Sequence, residues 1–208
     1  MKKVFSLNWL RVVLLAGMVA SVPVIRAADR TWTGSANGDG FWTNAANWGG
    51  TAPVNSDALF FTGTNGLVST NNFPTTNAYT GLTFNAGSGP FTLKGTGIAL
   101  IGGITNNSML LQTNNLDLQA GNLVVSVANA GTLILNGVVA STNGSLTKVG
   151  AGTVVLNGLN TYPEGTTISQ GTVRIPAAGR LGAPGGPLYM DGGTLQIGNL
   201  MTLANRAI

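Results

Sequence analysis

A pentad of the form Gly-[Thr/Asn]-[Leu/Val]-x-[Val/Ile/Leu] occurs at Gly121, Gly131, Gly152, Gly171 and Gly193, at successive intervals of 10, 21, 19 and 22 residues. Recurrence near 20 residues, with a half-step of 10, constrains this chain more than any other feature, because a short fixed period means one supersecondary unit stacked on the next. Each unit has room for two or three short strands and tight turns but none for a helix, so the pattern predicts a coiled β-structure and not a helical or leucine-rich array. Between Ser145 and Ile175 the unit can be read in full. Leu146 to Val149, Thr153 to Leu156 and Thr172 to Ile175 alternate apolar with small polar residues, and Gly and Asn separate them where the chain must turn. Asn136-Gly137 and Asn157-Gly158 close two pentads in the same way. These pairs are expected to be corners in left-handed backbone, and Asn136 and Asn157 to stack as rungs of a side-chain ladder.

The run Leu146-Thr147-Lys148-Val149-Gly150-Ala151-Gly152-Thr153, followed by Leu156-Asn157-Gly158, Asn160-Thr161-Tyr162, Gly165-Thr166-Thr167-Ile168 and Gly171-Thr172-Val173, resembles one autotransporter-associated β-strand repeat. The likeness extends more loosely from about Gly121 to Leu195 and takes in Gly193; it departs from the family at Pro163-Glu164, where a small residue and Gly are usual. The resemblance implies a right-handed parallel β-helix in a passenger-type exported bacterial surface protein. It also implies an outer-membrane translocator or other anchor, expected outside this chain.

The N-terminus supports export. Met1-Lys2-Lys3 is basic, Val12 to Val24 is uncharged and apolar, and Ile25-Arg26-Ala27 has the residue sizes of a cleavage site, so residues 1–27 read as a signal peptide. The alternative, a membrane anchor, needs about 20 apolar residues. Removing Lys2, Lys3, Arg11 and Arg26 leaves six basic and six acidic residues. The net charge of +4 therefore belongs to the leader, and with no basic cluster left the chain is not expected to bind nucleic acid. A secreted chain with no cysteine must hold together without disulfides, by hydrogen bonding and stacking. The expected location is secreted or at the cell surface.

Aromatic residues divide the rest. Residues 28–88 hold Trp32, Trp42, Trp48, Phe41, Phe60, Phe61, Phe73, Tyr79 and Phe84, whereas beyond Phe91 the only aromatics are Tyr162 and Tyr189. Residues 28–88 are accordingly expected to be an N-terminal cap or irregular β region, and residues 89–208 regular β-helix repeats truncated at the C-terminus. Strands are expected at Phe91 to Lys94, Ile98 to Ile101, Met109 to Leu111, Leu116 to Leu118, Leu123 to Val127, Thr132 to Leu135, Leu146 to Val149, Thr153 to Leu156, Thr166 to Ile168, Thr172 to Ile175, Leu188 to Met190 and Thr194 to Ile197. Alternation places Leu133, Leu135, Val154, Leu156, Val173, Ile175, Leu195 and Ile197 inside.

The chain has no histidine and no cysteine, which removes Ser-His-Asp and Cys-His nucleophile sites and the common zinc sites. Asp29, Asp39, Asp57, Asp117, Glu164 and Asp191 are scattered singly, and are expected to be solvated turn and face residues rather than paired catalytic acids. No catalytic, metal or cofactor site is expected. Trp32, Trp42 and Trp48 could stack on sugar rings if exposed, or plug an open first coil if buried. Two functions follow: a non-catalytic structural or adhesive passenger segment, with an extracellular glycan or a host or cell-surface ligand as partner, or a carbohydrate-binding or carbohydrate-active β-helix module. Exposure of the tryptophans separates them.

Overall fold

The computed structural model describes residues 27–36, 38–198 and 203. The leader expected over residues 1–27 lies outside them save Ala27, as does the C-terminal stretch 204–208.

Among the described residues nineteen strands, numbered in chain order, form three sheets in which every pairing is parallel. The first sheet holds β1 (Asp29–Trp32), β2 (Ala58–Phe61), β5 (Gly81–Phe84), β8 (Ile104–Asn106), β11 (Leu123–Val127), β14 (Leu146–Val149), β16 (Thr166–Ile168) and β18 (Leu188–Met190). The second holds β3 (Val68–Asn71), β6 (Thr92–Gly95), β9 (Leu111–Asn114), β12 (Thr132–Leu135), β15 (Thr153–Leu156), β17 (Thr172–Ile175) and β19 (Thr194–Ile197). A third, of four strands, holds β4 (Ala78–Tyr79), β7 (Ile98–Leu100), β10 (Leu118–Ala120) and β13 (Val139–Ala140). Each coil places its strands over those of the coil before, as a β-solenoid requires.

Four of the five pentads fall on one column of the second sheet, where Leu133, Val154, Val173 and Leu195 are successive register partners. The fifth, at Gly121, opens β11 of the first sheet. The interval of 10 is therefore the step between two faces of one coil, and those near 20 are the coil itself. Leu133, Leu135, Val154, Leu156, Val173 and Ile175 are buried as their alternation requires. In the last strand Leu195 is half-buried and Ile197 is 41% exposed, because among the described residues no strand covers β19.

Residues 28–88 hold the aromatic cluster on strands that are part of the same solenoid. β1, β2 and β5 enter the first sheet in the same register pattern as later strands. The composition changes because the column Trp32–Phe61–Phe84 fills the interior with rings, where later coils use aliphatics; neighbouring rings lie 6.1 and 5.5 Å apart. Two further strands, β8 and β13, carried too few apolar residues to be expected. The strand expected at Met109 to Leu111 is displaced to Leu111–Asn114. Asn106 Oδ1 accepts from the amide and hydroxyl of Ser108 at 2.9 and 2.8 Å, while Asn106 Nδ2 donates to the Leu110 carbonyl at 3.2 Å. This side-chain turn holds Met109 and Leu110 outside, and polar Gln112 and Asn114 take the inward positions.

Candidate functional site

The corner after the pentads is built from side-chain amides. Asn157 Nδ2 donates to Asn136 Oδ1 at 2.7 Å, and Asn136 Nδ2 to Asn115 Oδ1 at 2.7 Å. Asn115 precedes no glycine and follows no pentad, so only the register reveals it as the third rung. The glycines beside the rungs are needed for proximity and not for left-handed backbone. Neither Gly137 nor Gly158 has positive φ, which corrects the expectation for both corners. A Cβ on Gly137 would collide with the Leu116 carbonyl, and one on Gly158 with the carbonyl of Gly137 itself. Gly152 and Gly193 are likewise crowded by the preceding coil, whereas Gly171 is both crowded and left-handed at φ +66°. Beside the ladder, the Val138 amide donates to Asp117 Oδ1 and the Val139 amide to Asn160 Oδ1, both at 2.8 Å. Asn160 Nδ2 then donates to the Arg180 carbonyl at 2.6 Å, so this residue spans coils in both directions.

Trp32, Trp42 and Trp48 are brought together, and they are buried at 0, 0 and 4% exposure. A short 3-10 helix, Ala45–Trp48, capped by Asn44, places Trp48 edge-on to Trp32 at 5.0 Å and to Trp42 at 5.7 Å. Their indole nitrogens donate to the Gly66 carbonyl, the Ser69 hydroxyl and the Trp42 carbonyl. No ring face is open to a sugar, so this cluster is not a stacking platform. It covers the end of the apolar interior at the first coil.

Two buried charges were not legible as such in the sequence. Asp57 is buried, not solvated: its carboxylate accepts from Arg30 Nε at 2.7 Å and from the amides of Ala28 and Val54 at 2.9 and 3.0 Å. Burial pushes its pKa up, but those hydrogen bonds and the guanidinium charge outweigh burial and hold it below the usual 3.8. Lys148 occupies an interior column of the first sheet, between Val125 and Ile168. It is fully buried, and its ammonium donates to the carbonyls of Val149, Gly150 and Gln170 at 2.7, 2.6 and 3.3 Å. Burial lowers its pKa to about 8. Strand alternation alone places Lys148 inside with Leu146, a signal that its charge obscured. Asp29, Asp117, Glu164 and Asp191 are exposed and Asp39 partly so; among the described residues no three acidic side chains converge on a metal-sized site.

A concavity of about 810 Å³ lies outside the third sheet. Its floor is the outward row Ala99–Gln119–Ala140, one residue per coil, and the turn Ser141–Asn143 walls one side.

Residues 146–175 match the passenger-associated-transport-repeat family. No curated protein and no solved structure matches the chain. The matched segment holds β14 through β17, strands of two successive coils, with Lys148 and Asn157, so the likeness to that repeat covers this part of the solenoid.

Proposed function

We propose that this chain is a structural, adhesive passenger segment of an exported bacterial surface protein. One observation carries the reading: a passenger-associated repeat is embedded, in register, in a continuous parallel solenoid of seven second-sheet strands. Such a rod gains stability coil by coil and presents long side-chain rows to the outside, which suits a stalk that holds a binding surface away from the cell. The N-terminal residues supply the export signal, and delivery falls to a translocator or anchor outside this chain. No residue is assigned a catalytic role.

The test is display. The complete natural protein is produced in a Gram-negative host, and intact cells are treated with protease and labelled with antibody against the solenoid. Surface labelling, with a mature N-terminus at Ala28 by mass analysis, supports the reading. Retention of Met1 in a cytoplasmic fraction overturns it.

A further inference from the structure

We propose that the trough outside the third sheet binds a short, uncharged glycan lying along the solenoid axis. The inference rests on the adhesive reading above and names its ligand class. The row Ala99–Gln119–Ala140 continues to Thr161, whose amide donates to the Val139 carbonyl at 3.0 Å. Three coil steps of roughly 4.8 Å give a trough about 14 Å long. Its volume, about 810 Å³, is within the range of roughly 300–1,000 Å³ usual for small-molecule sites.

The chemistry of the walls selects the occupant. No ionisable side chain lines the trough, so nothing there compensates the desolvation of a charged ligand. Gln119 and Asn143 bring exposed carboxamides, Thr161 a hydroxyl, and Ala99, Ala140 and the 67% exposed Ile101 an aliphatic strip. Amides and hydroxyls both donate and accept, as sugar hydroxyls do, and the aliphatic strip suits a pyranose C–H face. An extended peptide would instead add to an open strand edge. The edge of β13 is closed: Val139 donates its amide to Asn160 Oδ1 and gives its carbonyl to Thr161. The absence of an aromatic from the lining implies weak, roughly millimolar binding per trough.

The test is a titration of the ¹⁵N-labelled chain with chitotriose, cellotriose and laminaritriose, with trigalacturonate as the charged control and a serine-alanine hexapeptide as the peptide control. At least one neutral trisaccharide should shift the amides of Ala99, Gln119, Ala140 and Thr161, while trigalacturonate and the peptide leave them unmoved. Gln119→Ala and Asn143→Ala should each weaken the affinity about fivefold, as loss of one hydrogen bond implies, with the amides of β15 and β17 unchanged as a control for folding. No shift with any neutral trisaccharide at ~10 mM, ten times the expected dissociation constant, overturns the proposal. So do shifts mapping elsewhere, or a response to the peptide alone. Surface display of the complete protein is read separately, so loss of sugar binding in displayed protein removes this site and leaves the passenger reading standing.

Discussion

Asn157 and Asn136 sit one above the other in successive coils, joined by a 2.7 Å amide hydrogen bond that Asn136 repeats downward to Asn115. Asn136 therefore makes two ladder bonds, whereas Asn115 and Asn157 each make one. At a net value of about 1 kcal/mol per bond, less where water competes, Asn136→Ala should lower stability by about 1–2 kcal/mol and Asn157→Ala by about half as much. Asn65→Ala, in an exposed turn, should cost within ~0.5 kcal/mol. Denaturant midpoints of the three variants check the order. Equal losses at Asn136 and Asn157 would mean that the ladder does not act as a chain of bonds.

The coil period was legible because Gly-[Thr/Asn]-[Leu/Val]-x-[Val/Ile/Leu] states it directly: the close approach of Gly152 to the Gly131 carbonyl and of Gly171 to the Gly152 carbonyl demands glycine at a fixed interval. The first coils hid the same period because their core is filled by Trp32, Phe61 and Phe84, rings that change the composition but not the register. Polar residues that point inward were the other blind spot. Asn106 and Gln112 satisfy their amides inside the solenoid, Gln112 by accepting from the Phe91 amide and donating to the Gly89 carbonyl of the preceding coil. A sequence pattern that equates polar with outward cannot place them.

Asp57 holds Arg30 and two backbone amides at the first coil. Removing the carboxylate leaves a cation and two donors without their acceptor, so Asp57→Ala should cost about 3 kcal/mol, the low end for a buried pair because Arg30 is partly exposed. The native pKa lies below 3.8, so the unfolded chain binds the proton more tightly. Stability from this group is present above about pH 3.8 and is lost as pH falls through the folded value. Melts of the wild type and Asp57→Ala should differ at pH 6 and converge in acid; a constant difference would contradict the assignment.

Ala130 adopts φ +62°, and Gly171 adopts φ +66°. A Cβ in this region costs about 1 kcal/mol, partly offset in an Ala→Gly change by the added entropy of the unfolded chain, about 0.4–1 kcal/mol. Ala130→Gly should therefore leave the thermal midpoint unchanged or raise it slightly. Gly171→Ala adds both a strained backbone and a collision with the Gly152 carbonyl, and should lower stability by more than about 1 kcal/mol. A fall in midpoint for Ala130→Gly comparable to that for Gly171→Ala would remove the strain argument.

Lys148 stands in an otherwise aliphatic interior column, Leu59–Leu82–Ile104–Val125–Lys148–Ile168. Its ammonium is held by three carbonyls and no carboxylate, so burial acts on it without a countercharge and lowers its pKa from 10.5 to about 8. Between those values the unfolded chain carries the proton on Lys148 and the folded chain has begun to release it. The unfolded state then binds more protons, and stability rises with pH. The rise starts near pH 8 and is complete above 10.5. Tyr79, which burial raises from 10.0 to about 12, works against this rise from about pH 10 upward, because the unfolded phenol ionises first, and does so equally in both proteins. Lys148→Met keeps the volume and removes the titration, so its denaturant midpoint should lack the wild-type increase between pH 8 and 10.5. Parallel pH profiles for the two proteins would show that Lys148 is solvated in the folded coil and that the carbonyl cradle does not hold it.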